Sequence, residues 1–329
     1  MDQTQQSLQQ GQGQLQCSPV SAGNFNKHQS CFDLDALKRL AIKWNDLNKS
    51  NNSNLIKINK RTRSQLWSDL NKQLEKKCNG VDKESCWVST LKADSETVVA
   101  KHLRPPKPLS WNKNPNEWLS NFDIENVMFQ YNVIPNTQYR FLGVFAIDFA
   151  EKDQFGKCLY EEICSLNIFS LLKKRIKYVG LITNLDKHDE PGSHWTSTFI
   201  CIDPYSPSFG AYYYDSVSRE PPPEMNRFMN DLKKQADSIV ADLQNAKPSK
   251  HYKTLYQFRL AYNKKQDQYG NNECGMFSMY YQINWLKYLE KNPNATFEDV
   301  IAGKISDTMM NRYRNIIFRA QKHIKNNTN

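Results

Sequence analysis

The polar string Gln268-Tyr-Gly-Asn-Asn-Glu-Cys274-Gly275 runs directly into a mostly apolar stretch from Met276 to Leu289. That places a thiol at the expected start of a buried helix. A thiol attacks as its thiolate, and a helix N-terminus favours that anion. Gly275 has no side chain, so a substrate carbonyl could approach closely beside it. A cysteine on an apolar helix is more often an inert core residue, so its companions must decide the matter. His194 follows the flexible segment Glu190-Pro-Gly-Ser193 and opens a predicted strand. It is the candidate base. Asp215 ends the next predicted strand, where hairpin pairing would set its carboxylate against one ring nitrogen and favour the imidazolium. Asp203 is a rival for that position. Gln268, six residues before the cysteine, could donate its amide to a developing oxyanion together with the backbone N–H of Cys274, with Gln266 as its competitor. These residue types in this order suit acyl transfer through a cysteine nucleophile.

The elements that must carry these groups are legible in outline. Tyr178 to Thr183, Trp195 to Asp203 and Ala211 to Val217 read as strands, the last two as a hairpin. Pro221-Pro-Pro223 opens a long helix with the stripe Met225, Phe228, Met229, Leu232, Ala236, Ile239, Val240 and Leu243. Tyr256, Phe258, Leu260 and Tyr262 alternate as in a half-buried strand. Residues 274–290 are apolar on nearly every side and read as a central buried helix. Glu117 to Tyr131 reads as helical, with Trp118, Phe122 and Val127 among its apolar positions, and Ser306 opens a last basic helix with Met309, Tyr313, Ile316 and Ile317 inward. Residues 132–177 show no clear period.

Upstream, residues 1–30 are rich in Gln, Ser, Gly and Asn and read as a disordered tail. Asp33 is placed to cap a helix carrying Leu34, Leu37, Leu40, Ala41, Trp44 and Leu47. Thr62 and Gln65 make a capping-box pattern before Leu66, Trp67, Leu70 and Leu74. Together they predict a helical arm over 31–104. The string Arg104-Pro-Pro-Lys-Pro108 is read as a linker to a domain spanning 105–329.

The 329 residues carry a net charge of +10, and residues 32–80 hold eleven Lys and Arg against five Asp and Glu. That surplus is a solvated face or a contact for nucleoprotein or nucleic acid. No run of about 18 apolar residues predicts a membrane span, and the N-terminus has no secretory pattern. Eight cysteines are few for a disulfide scaffold, none falls in a Cys-x-x-Cys pair, and none has metal-ligand spacing with histidine. A reducing compartment, no metal and no cofactor are therefore expected, with the sequons at Asn294 and Asn326 unused.

The pattern His194-Trp195, then Tyr214-Asp215-Ser216, then Gln268-x5-Cys274-Gly275 resembles the ubiquitin-like-protein (SUMO) protease and adenovirus maturation protease superfamily. The likeness is strongest to the polyprotein-processing proteases of large DNA viruses, that of African swine fever virus among them. It extends to Leu74-Glu-Lys-Lys-Cys78, Glu84-Ser-Cys86, Leu119-Ser-Asn-Phe-Asp-Ile124, Ile305-Ser-Asp-Thr-Met-Met310 and Phe318-Arg-Ala320. The resemblance implies an α+β, papain-like cysteine peptidase core in which a mixed sheet packs on a buried helix starting at the catalytic cysteine, with a helical arm. It implies Cys274, His194, Asp215 and Gln268 as catalytic residues, and Trp118 and Trp195 as walls of a tunnel for a Gly-Gly tail. Asn121 lies at the substrate cleft, where cellular members usually carry Asp. The implied function is cleavage of structural precursors after Gly-Gly-x sites during virion maturation, in the host cytoplasm and virion. Two alternatives remain open at this point: deconjugation of a SUMO-type modifier, and Ser/Thr acetylation by the same triad.

Overall fold

Five strands line up in chain order: β1 (Tyr139–Ala146), β2 (Tyr178–Asn184), β3 (Trp195–Cys201), β4 (Gly210–Tyr214) and β5 (Arg259–Tyr262). The two outer pairings, β1 with β2 and β4 with β5, are parallel, and the two inner ones are antiparallel. The computed structural model describes residues 16–21, 30–50, 54–80, 83–93, 97–134, 136–245 and 254–319. The chain divides into two compact units, Met1–Pro115 with Tyr313–Asn329, and Asn116–Arg312.

In the first unit, α1 (Leu34–Leu47) and α2 (Arg63–Leu74) begin where local chemistry satisfies their free N–H groups. Asp33 accepts from Ala36 N–H at 2.8 Å, and Thr62 and Gln65 form the expected reciprocal box. Leu37, Leu40 and Ala41 share a core with Leu66, Leu70 and Leu74, joined by Trp87 and Val88 of α3 (Lys83–Thr90). Leu47, read as part of the α1 stripe, is exposed. Glu84 of α3 is buried and accepts from Cys31 N–H (2.9 Å) and Trp67 Nε1–H (2.7 Å). Burial pushes its carboxyl above the usual range against those bonds.

Two expectations are corrected here. The tail does not run free through residue 30. Cys17 is fully buried and disulfide-bonded to Cys31, and Ser18 N–H donates to His102 C=O at 2.9 Å. Residues 1–15 and 22–29 lie outside the described residues. Cysteine usage also differs, since Cys78–Cys86 and Cys158–Cys164 are disulfides as well. Their loops are short, with separations of 8 and 6 residues, so local geometry can pair them however few cysteines the chain has. Cys201 and Cys274 are free.

In the second unit the sheet is covered on both faces. Alternation along β3 and β4 separates the two cores. Ile200, Ala211 and Tyr213 join Met225, Phe228, Met229, Leu232 and Ala236 of α5 (Pro223–Asn245). On the opposite face lies α6 (Cys274–Lys291). Its Trp285 stacks on Phe199 of β3, with centroids 4.6 Å apart, and its Tyr281 stacks on Tyr214 of β4, also at 4.6 Å. α4 (Asn121–Met128) starts four residues later than expected. Its capping box is Ser120 with Asp123, so Trp118 and Phe122 are exposed rather than part of a buried stripe. Beyond α7 (Phe297–Ile301), α8 (Asp307–Ile317) buries Met310, Tyr313 and Ile317, where Met309 was expected inward. No helix among the described residues is long and apolar enough to cross a membrane.

One polar side chain ties α6 to three strands. Gln282, fully buried, donates from Nε2 to Ser197 Oγ and Thr198 C=O, both at 2.8 Å, and accepts from Tyr139 OH at 3.1 Å. Gly180 on β2 leaves the space for this, because a Cβ there would stand 2.3 Å from Gln282 Oε1. Gln282→Ala strands a buried phenol and a buried carbonyl and opens a cavity. It should lower unfolding free energy by about 3 kcal/mol. A urea midpoint moved by less than about 1 kcal/mol equivalent would show that the stacked aromatics alone seat the helix.

Candidate active site

β3 and β4 bring the histidine and its acid together. The antiparallel register pairs Ser197 with Tyr214, so the residues just outside it, His194 and Asp215, emerge at the same end of the hairpin. His194 Nε2 and Asp215 Oδ1 are 2.7 Å apart, and Asp215 is fully buried. Asp215 is held by its own turn and by the end of β5. Its Oδ1 also accepts from Val217 N–H at 2.9 Å, while Asn263 accepts from Asp215 N–H (2.9 Å) and donates to Asp215 C=O (2.7 Å). Asp203 is elsewhere, paired with Lys177 at 2.8 Å.

With Nε2 committed to the carboxylate, Nδ1 is the ring nitrogen left for a second partner. Cys274, the first residue of α6, lies near enough for its sulfur to act on the His194 ring. Burial works against charge on this ring, but the bonds and charges of Asp215 and Cys274 outweigh it and raise His194 from its ordinary 6.5 to about 9. A histidine protonated at neutral pH is the counter-ion a thiolate requires. The other free thiol, Cys201, has no such neighbour, and burial pushes it up to about 12.

Gln268 is also buried, and both ends of its amide are held. Ser216 Oγ–H donates to Gln268 Oε1 at 2.6 Å, and Gln268 Nε2 donates to Gly270 C=O at 2.7 Å. The competing Gln266 has a different task, donating from Nε2 to Gln268 C=O at 2.7 Å. No role was assigned from sequence to Ser216 or Asn263. Only Ser216, adjacent to Asp215, carried a positional hint.

The remaining sequence-derived residues surround the start of α6. A Cβ on Gly275 would meet Leu119 Cδ1 and Trp195 Cδ1, both at 3.1 Å. Its missing side chain therefore makes room for Leu119 and Trp195. Trp195 is buried and donates from Nε1 to Leu119 C=O at 3.0 Å. Trp118 is 43% exposed and donates from Nε1 to Asn272 Oδ1 at 3.0 Å, gripping the loop that leads into Cys274. Asn121 is exposed at the first position of α4. Among the described residues no cluster of His, Cys, Asp and Glu could hold a metal ion.

No family model matches the chain. A protein of Acanthamoeba polyphaga mimivirus whose name proposes a thiol protease is 30% identical over 206 residues, 62% of this chain. The match spans 58% of that protein's own length. The cysteine protease of African swine fever virus is 22% identical over 276 residues, covering 80% of this chain and 90% of the relative. The crystal structure of the African swine fever virus protease superposes with a TM-score of 0.57 at 19% identity, over 80% of this chain and 93% of that one. The chain has the fold of a viral cysteine protease. Within that fold, the start of α6 and the open end of the β3–β4 hairpin carry the cysteine and the histidine.

The raised value for His194 sets a pH signature. The ring keeps its proton through neutral pH and loses it as pH rises through about 9. Activity that needs the imidazolium should therefore fall on an alkaline limb near pH 9. In Asp215→Asn the supporting carboxylate is gone, and the limb should move down by about one unit or more. A kcat/KM profile from pH 5 to 10 checks this, and a limb unmoved by the substitution would mean that Asp215 does not hold charge on His194.

Proposed function

We propose that this chain is a cysteine endopeptidase that cleaves protein precursors after Gly-Gly-x sites during virion maturation, at assembly sites in the host cytoplasm and in the virion. The observation that carries the chemistry is the single ring of His194, bonded to buried Asp215 at 2.7 Å and close to Cys274 at a helix start. The viral setting and the protein substrate class are supported by two relatives named as proteases, one of a mimivirus and one of African swine fever virus.

In this reading Cys274 Sγ, as thiolate, attacks the scissile carbonyl carbon. The carbonyl oxygen takes up the electron pair and is received by Cys274 N–H and the unused N–H of Gln268 Nε2. Collapse expels the amine, which takes a proton from His194 Nδ1, and leaves a thioester on Cys274. A water then adds to the thioester, giving its proton to the now neutral His194. The carboxylic acid product leaves and the thiolate–imidazolium pair is restored. Asp215 keeps its proton count throughout and holds the ring. The covered position of Trp195 over Gly275, with Trp118 beside the loop before Cys274, supports a narrow approach suited to glycine at the two residues before the cut.

Cys274→Ala should abolish peptide hydrolysis while leaving the unfolding transition nearly unchanged, because one sulfur is all that is removed. Persistent hydrolysis in this variant would end the reading. For specificity, a peptide library read by mass spectrometry should show cleavage after Gly-Gly or Gly-Ala pairs. Efficient cutting after a bulky pair such as Leu-Arg would remove the two tryptophans as selective walls.

A further inference from the structure

The turn after β4 makes two sets of contacts. Its first residue, Asp215, holds His194. Its second, Ser216, holds the segment carrying Gln268 three times over: Ser216 C=O accepts from Asp267 N–H and Gln268 N–H, both at 2.9 Å, and Ser216 Oγ–H donates to Gln268 Oε1 at 2.6 Å. The orientation of that amide is fixed by chemistry. Gly270 C=O can only accept, so the atom 2.7 Å from it must be Nε2. Oε1 then faces Ser216, whose hydroxyl must be the donor. One N–H of Nε2 goes to Gly270, and the other is left over. Without the hydroxyl, Oε1 loses its partner and the amide is held at one end only.

We propose that Ser216 is a positioning residue that aims the Gln268 amide for oxyanion binding and locks it to the same turn that orients His194. The inference rests on the endopeptidase reading above. Ser216 touches neither substrate nor the reacting sulfur. It acts through Gln268, and its contribution belongs to the step in which negative charge develops on the carbonyl oxygen. Alkylation of the thiol by iodoacetamide is a displacement at carbon and creates no oxyanion. The two reactions therefore separate aiming of the amide from activation of the thiol.

The test uses the full chain as wild type, Ser216→Ala, Ser216→Thr, Gln268→Ala and the Ser216→Ala/Gln268→Ala double variant. Each is measured for steady-state cleavage of a Gly-Gly peptide and for the rate and pH profile of Cys274 alkylation. Ser216→Ala should lower kcat about tenfold or more, within the loss expected for removing an oxyanion donor outright, with KM and alkylation unchanged. Ser216→Thr should recover most of the loss. Adding Ser216→Ala to Gln268→Ala should cost nothing further, since the two act as one unit. Full kcat in Ser216→Ala overturns the proposal. So does an equal loss of kcat and alkylation rate, which would place Ser216 on the thiol and histidine or on the fold, and so does a fully additive double variant. A wild type that alkylates at Cys274 but cleaves no peptide would instead fail the endopeptidase reading, and the two failures are thereby distinct.

Discussion

The position of α6 against β3 and β4 determines whether the site exists. Cys274 is the first residue of that helix, while His194 and Asp215 belong to the hairpin, so a slide of one helical residue would part the sulfur from the ring. Gln282 prevents such a slide by specific bonds to β1 and β3. The stacked pairs Trp285–Phe199 and Tyr281–Tyr214 add contact area but tolerate small shifts. A buried glutamine is costly unless every hydrogen bond is made. Here the bonds are made, and the glycine at position 180 keeps their space clear.

On that frame the electrostatics follow from competition. Removing an imidazole from water disfavours its charge, and by itself would depress His194. Asp215, fully buried and held by Asn263 and its own turn, cannot turn away to solvent, so its charge acts on the ring at short range. The result is a protonated histidine beside a thiol. Buried ion pairs seldom add net stability. This one is better understood as a prearranged electrostatic environment around the ring.

Much of this was legible in the sequence where the signal is local. The caps at Asp33 and Thr62 need only a few neighbouring residues, and both helices start where those residues say. The buried helix at 274 followed from a stretch apolar on nearly every side, and the β3–β4 hairpin from two neighbouring strand readings. Strand β1 was missed because its alternation is blurred: Tyr139, Phe141 and Phe145 are buried, but Gly143 interrupts them and Leu142 and Val144 on the other face are half-buried. The start of α4 was misplaced because Trp118 and Phe122 mimic a helical stripe, whereas Ser120 and Asp123 mark the true cap. The packing of Gly275 against Leu119 and the clamp from Asn263 depend on residues remote in sequence, and no local pattern encodes them.

The proposed role of Cys274 as nucleophile requires it to react where the other free thiol, Cys201, does not. Full-length protein can be exposed at neutral pH to a limiting amount of iodoacetamide, digested, and read by mass spectrometry for label at each free cysteine. The account predicts label at Cys274 with Cys201 spared, and loss of that preference in His194→Ala, where no imidazolium remains to pair with the thiolate. Labelling of Cys274 at the same rate with and without His194, or no reaction at Cys274 at all, would contradict it.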